Sequence, residues 1–164
     1  MILTAFTILH ALISLVGIFS GFVVLSHLIT SRYVASWTTV FLWTTVATSM
    51  TGFFFPVQHF MPSHAVGILS LLLLALAIYA LRSRQLAGGW RKTYVITAVM
   101  SLYLNFFVLI VQSFLKIPAL KALAPTQTEP PFKIAQLTAL VLFIVLGFLA
   151  AIRFRAEPPA KLPA

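Results

Sequence analysis

The chain contains no cysteine and only two acidic residues, and its charged residues make up 8% of 164 positions. Without cysteine there is no disulfide framework, thiol nucleophile or thiolate metal site. A soluble domain ordinarily carries about 25% charged residues, whereas 61% of this chain is hydrophobic. The composition therefore excludes an ordinary soluble domain and indicates a protein surrounded by lipid.

Several classes of enzyme lack support in this sequence. The two acids, Glu129 and Glu157, are predicted on opposite sides of a membrane, which excludes hydrolysis by a carboxylate pair. Walker A, G-x-S-x-G and H-E-x-x-H motifs are absent from the chain. We therefore expect a non-enzymatic protein.

Five apolar stretches are long enough to cross a hydrocarbon core as helices, which takes about 20 residues. They cover residues 2–30, 36–57, 63–81, 93–115 and 134–152, and no charged residue lies inside them. We predict an all-α integral membrane bundle of five transmembrane helices forming a single domain over residues 1–155. Residues 156–164 are rich in proline and are predicted to form a disordered cytoplasmic tail.

The basic residues between these spans predict the orientation, because short cytoplasmic loops retain Lys and Arg. Eight lie on one predicted side: Arg32, Arg82, Arg84, Arg91, Lys92, Arg153, Arg155 and Lys161. Three lie on the other: Lys116, Lys121 and Lys133. The N-terminus is predicted outside and the C-terminus in the cytoplasm. The formal charge of +9 then reflects topology and contact with anionic lipid, and no nucleic-acid partner is expected.

The external connection over residues 116–133 is the longest of the chain. Its first part, residues 117–124, predicts a short helix in the interface, with Leu120 and Leu123 toward lipid. Four prolines then favour an extended, stiff flap. This segment is either a connector to the fifth helix or a lid over an external cavity.

Polar side chains within the spans form two stripes. On the first helix the stripe contains His10, Ser14, Gly17 and Gly21, at offsets 0, 4, 7 and 11. On the fourth it contains Ser101, Asn105, Gln112 and Lys116, at offsets 0, 4, 11 and 15. Gly17 and Gly21 form a small-x3-small pair that permits close helix approach. The stripes are either packing contacts between helices or the lining of a site.

Depth along the helices places several polar groups near the outer interface. We predict a polar pocket formed by His10, His64, Asn105 and Gln112, under the loop that contains Lys121 and Glu129. The predicted ligand-binding residues are His10, His59, His64, Asn105, Gln112 and Lys116. A metal site is disfavoured, because the histidines lack helical spacing and nearby carboxylates.

A b-type haem is an alternative occupant of the same region. It needs two neutral imidazoles on different helices, and His10 with His64 meets this condition. Phe53 and Phe106 are among the possible walls, and Lys116 is a possible partner of a propionate. The remaining histidine, His27, is predicted on the cytoplasmic side, so a second bis-histidine site is not expected.

Three segments carry a resemblance to known proteins: HALISLVGIFSG, TGFFFPVQHFMPSHAVG and YLNFFVLIVQSFLKIPALKALAPTQTEPPF. They resemble small hypothetical multi-pass proteins of the bacterial inner membrane, whose function is unknown. The resemblance implies a location in the bacterial cytoplasmic membrane. More distantly, histidines at helix ends are similar to those of membrane b-type cytochromes.

These observations leave three functional hypotheses. The first is a membrane protein that binds a small molecule or a partner subunit through the polar pocket. The second is a mono-haem b electron carrier with His10 and His64 as axial ligands. The third is a purely structural or assembly subunit of a membrane complex.

Overall fold

The computed structural model describes residues 2–55 and 62–155, and this part of the chain is helical without strands. Its helices are α1 (Ile2–Ile29), α2 (Ala35–Thr51), α3 (Pro62–Arg82), α4 (Trp90–Lys116), α5 (Pro118–Leu123) and α6 (Pro130–Arg153). A 3₁₀ turn over Gly52–Phe54 continues α2. The predicted tail over residues 156–164 lies outside the described residues.

Four helices are long and apolar enough to cross a membrane: Leu3–Ile29, Ser63–Arg82, Trp90–Lys116 and Pro130–Arg153. They confirm an all-helical bundle of the membrane type. The predicted second span is shorter than expected, because α2 has 17 residues and measures about 26 Å. Phe55 adopts an extended conformation, with φ −70° and ψ 133°, since the proline after it disfavours the helical region.

Helix α4 lies at the centre of the bundle and contacts α1, α2, α3 and α6. Helix α2 packs between α1 and α3. The core contains Phe41, Leu74, Tyr94 and Leu102, each at most 1% exposed. The outward faces remain apolar, with residues such as Phe19, Leu72, Ile144 and Phe148 at 60% exposure or more. Such a surface suits acyl chains rather than water.

The predicted small-residue pair on α1 does permit close packing. A Cβ atom on Gly21 would lie only 2.9 Å from ring carbons of Phe41 on α2, and it would also meet Leu102 on α4. Gly17, one turn earlier, faces polar side chains of α2 and α4. The two glycines thus bring α1 against two neighbouring helices at once.

The ends of the bundle differ in their basic residues. One end, here called the arginine-rich end, contains Arg32, Arg82, Arg84, Arg91, Lys92, Arg153 and Arg155. The opposite lysine end contains Lys116, Lys121 and Lys133. At the arginine-rich end, the backbone N–H of Arg155 donates to the Ser31 hydroxyl over 2.9 Å. This bond holds the segment after α6 against the turn after α1.

Candidate functional site: a polar seam between three helices

Asn105 is the most buried amide of the predicted site. It is 6% exposed, and its Oδ1 accepts a hydrogen bond of 2.9 Å from the Ser14 hydroxyl. Its Nδ2 is buried and has no hydrogen-bond partner among the described residues. A side-chain amide carries two N–H donors, so both remain unsatisfied on this group. The bond to Ser14 joins the middle of α4 to α1.

Gly17 allows polar atoms of α2 to come close to the same point. A Cβ atom on Gly17 would lie 3.2 Å from the hydroxyl oxygens of Thr44 and Thr45, and 3.3 Å from Asn105 Nδ2. The Thr44 and Thr45 hydroxyls donate to carbonyls of their own helix, over 2.6 and 2.7 Å. Their oxygens keep acceptor capacity. Three polar side chains therefore converge on the bare backbone of α1.

His10 continues this polar contact toward the lysine end. Its Nδ1 lies 2.8 Å from the Thr51 hydroxyl oxygen, which in turn lies 2.7 Å from the Ala47 carbonyl. Because a hydroxyl has one hydrogen, both bonds form only when Thr51 donates to Ala47 and His10 Nδ1–H donates to Thr51. The Nε2 atom of His10 is then an acceptor. The Phe55 ring packs against the imidazole in a T-shaped contact, with centroids 5.1 Å apart.

The two helices carry similarly spaced polar residues. His10, Ser14 and Gly17 lie at offsets 0, 4 and 7 on α1, and Thr51, Thr48 and Thr44 lie at offsets 0, 3 and 7 in the opposite direction on α2. His10 meets Thr51, and Gly17 meets Thr44. The Thr48 hydroxyl is buried and has no hydrogen-bond partner in the described part of the chain. We call these six residues and Asn105 the polar seam. Thr48 and Thr51 were absent from the predicted site, although their spacing was available in the sequence.

The other predicted site residues lie outside the seam. His64, in the first turn of α3, stacks on Phe53 with ring centroids 5.6 Å apart. Gln112 and Lys116 are exposed on α4. His59 lies outside the described residues. The structure thus links His10 to Thr51 on α2 and Asn105 to Ser14 on α1. The ligand roles of all six residues stay predictions.

The connection between α4 and α6 is folded against the bundle instead of forming an extended flap. The predicted short helix is confirmed as α5, Pro118–Leu123, and its place in the membrane interface stays a prediction. Proline begins both α5 and α6, where the missing N–H needs no partner. Ala124 is fully buried, and the Gln127 side chain donates to the Val111 carbonyl over 2.9 Å.

Glu129 closes the turn before α6. Its carboxylate accepts bonds from the backbone N–H groups of Thr126 and Thr128 and from the Thr126 hydroxyl, over 3.0 to 3.2 Å and 2.8 Å. Desolvation alone would raise the pKa of Glu129, but these hydrogen bonds outweigh it and lower the pKa below its ordinary value. The turn is therefore held by an ionised carboxylate.

We expect Glu129→Gln to loosen this turn without unfolding the bundle. The neutral amide is a weaker acceptor, so amide hydrogen exchange at Thr126 and Thr128 should accelerate several-fold. In the native chain the carboxylate bonds are complete above the unfolded pKa of glutamate and are lost as the pH falls through the lower folded pKa. Glu157→Gln, which removes the chain's other acid, should leave both exchange rates unchanged. Unchanged exchange in Glu129→Gln would contradict this account.

Comparison with protein-family models, with curated proteins and with solved structures finds no match for this chain. Among the described residues, no group of three histidine, cysteine, aspartate or glutamate side chains can hold a metal ion. The fold and the seam define a helical membrane-type bundle with a buried hydrogen-bonding site.

Proposed function

We propose that this chain is a non-enzymatic integral protein of the bacterial cytoplasmic membrane that binds a small molecule or a partner subunit through the polar seam. Five helices would cross the bilayer, with the N-terminus outside and the C-terminus in the cytoplasm. The four membrane-length helices and the excess of basic residues at the arginine-rich end support this topology.

Helix α2 is the fifth span of this proposal. It runs antiparallel to α1, since His10 pairs with Thr51 near one end and Gly17 faces Thr44 nearer the other. With the 3₁₀ turn it extends over Ala35–Phe54, which is 20 residues. This length matches the hydrocarbon thickness closely enough for a complete crossing.

The buried Nδ2 group of Asn105 carries the functional proposal. Leaving a buried donor unsatisfied costs about 1–3 kcal/mol, and lipid supplies no hydrogen-bond acceptor. A carbonyl or hydroxyl oxygen of a bound molecule, or of a partner's helix, would recover this free energy. Further along the seam, the Nε2 atom of His10 is an acceptor, so the ligand would offer an acceptor to Asn105 and a donor to His10.

A mono-haem b carrier is the second candidate, and the bond between His10 and Thr51 favours it. Haem ligands commonly use one ring nitrogen to hold the tautomer while the other binds iron. Phe53 and Phe55 supply apolar surface beside His64 and His10, respectively. Such a group would supply one-electron transfer. His10 and His64 would hold the iron, and Thr51 would fix the tautomer of His10.

Native mass spectrometry of the full chain, isolated from its membrane in mild detergent, tests the proposal. We expect a bound mass in the native chain that is lost in Asn105→Leu. Ser113→Ala is the matched control, because its hydroxyl bonds within α4, to the Leu109 carbonyl, away from the seam. It should keep the bound mass. Far-UV circular dichroism would verify that both variants fold.

The size and colour of the bound species separate the hypotheses. A mass of several kilodaltons indicates a partner subunit, and a colourless small mass indicates another ligand. A Soret band that is present in the native chain and lost in His10→Ala and in His64→Ala would contradict the proposal and support the haem alternative. A native chain without any bound mass contradicts binding and leaves helix packing as the role of the seam.

A further inference from the structure

A groove of about 300 Å³ lies at the arginine-rich end, between the start of α4 and the end of α6. Its cationic lining consists of Arg91, Lys92 and Arg155, and its apolar lining includes Ala151, Ile152 and Phe154. The groove lies at the arginine-rich end, whereas the α1 residues of the polar seam lie in the half of that helix nearer the lysine end. The groove and the seam share no residue and are therefore separate features of the protein.

The three cationic side chains of the groove outnumber the two acids of the chain. Glu129 is the one acid in the described part of the chain, and it lies at the lysine end. The sequence holds one further acid, Glu157, which can neutralise at most one of the three cations. Arg91 and Lys92 also occupy the first turn of α4, where positive charge opposes the helix dipole. An anion from outside the chain would relieve both effects.

The groove is held in shape by the core beneath it. Phe154 is 3% exposed and packs near Tyr94, with ring centroids 6.4 Å apart. The next residue, Arg155, is fixed by the bond between its backbone N–H and Ser31. The basic side chains of α4 and of the segment after α6 are thus kept beside one another.

We propose that this groove binds one anionic phospholipid. Its phosphodiester would lie among Arg91, Lys92 and Arg155, since Lys and Arg pair with phosphate and the start of α4 favours negative charge. An acyl chain would follow Ile152 and Phe148, which are 50% and 65% exposed on α6. The continuity of the groove with this apolar surface selects a lipid over a soluble phosphate.

Native mass spectrometry with added lipids tests this site. Phosphatidylglycerol should bind about tenfold more tightly than phosphatidylcholine with the same acyl chains. Lys92→Gln/Arg155→Gln should remove about this tenfold preference. Lys121→Gln/Lys133→Gln, which removes two charges at the lysine end, should change binding less than twofold. Circular dichroism would report whether each double variant retains its helices.

Three results would overturn the proposal. Equal binding of the two lipids would exclude recognition of charge, and equal losses in both double variants would indicate a general effect of net charge. Displacement of the lipid by inorganic phosphate at the same concentration would identify the site as one for a soluble anion. The outcome does not depend on Asn105, so the seam and the groove fail or stand separately.

Discussion

Replacing Asn105 with aspartate is expected to destabilise the bundle by about 3 kcal/mol at neutral pH. The two side chains have the same shape, so the change adds charge without changing the packing. Asn105 is 6% exposed, and its surroundings are Ser14, Gly17 and the threonine hydroxyls of α2, with no cation among these contacts. An ionised carboxylate at this position would lose its hydration without gaining a counterion.

The effect of Asn105→Asp should depend on pH in one direction. In acid the carboxyl is neutral and can still accept the bond from Ser14, so most of the stability should return. As the pH rises and the unfolded chain ionises, the folded state becomes progressively less favourable. The free energy of unfolding, measured by titration with sodium dodecyl sulfate at several pH values, would show this slope.

Gln85→Glu provides the matched control, because it makes the same chemical change in the exposed turn that follows Arg84. Its free energy of unfolding should change by less than about 0.5 kcal/mol. Equal stability of Asn105→Asp and the native chain at neutral pH would mean that the seam is hydrated. The unpaired amide would then no longer support a ligand site.

Gly21→Ala is expected to destabilise the bundle by about 1–3 kcal/mol. The added methyl group would overlap Leu102 and approach Phe41 to 2.9 Å, and both side chains are about 1% exposed. Neither side chain can move without displacing other core residues. Since lipid is as apolar as the helix interface, close packing supplies much of the association energy that this change removes.

Two further variants make this prediction specific to the contact. Gly89→Ala adds the same methyl group where no atom lies within 4 Å, so its free energy of unfolding should stay within about 0.5 kcal/mol of the native value. Gly21→Ala/Leu102→Ala should be more stable than the sum of the single effects predicts, because truncating Leu102 makes room. Simple additivity would falsify the proposed overlap.

Much of the seam was foreseeable from spacing alone. Offsets of 0, 4 and 7 place His10, Ser14 and Gly17 on one side of α1, whatever surrounds the helix. The same rule places Asn105 and Gln112 on one side of α4, yet the structure buries the first and exposes the second. Helical periodicity specifies a direction around the axis but not how far the neighbouring helices extend along it.

The connection before α6 shows a different limit of sequence reasoning. The sequence predicts an extended flap from Pro118, Pro130 and Pro131, but each of these prolines lies in the first turn of a helix. Proline is compatible with both structures, because its fixed φ suits an extended segment and the start of a helix equally. The bonds of Glu129 to the preceding turn, together with burial of Ala124, decide between them.

The helical, lipid-compatible character of this protein and the unequal basic charge of its two ends are evident from the sequence alone. Both follow from composition and from the length of uninterrupted apolar runs. These are properties of single helices and need no contact between helices. The folded structure was needed to show that Asn105 meets Ser14 and Gly17, that Thr51 holds His10, and that Arg155 and Lys92 line one groove. These contacts join residues distant in sequence, and they depend on how closely the glycines allow separate helices to pack.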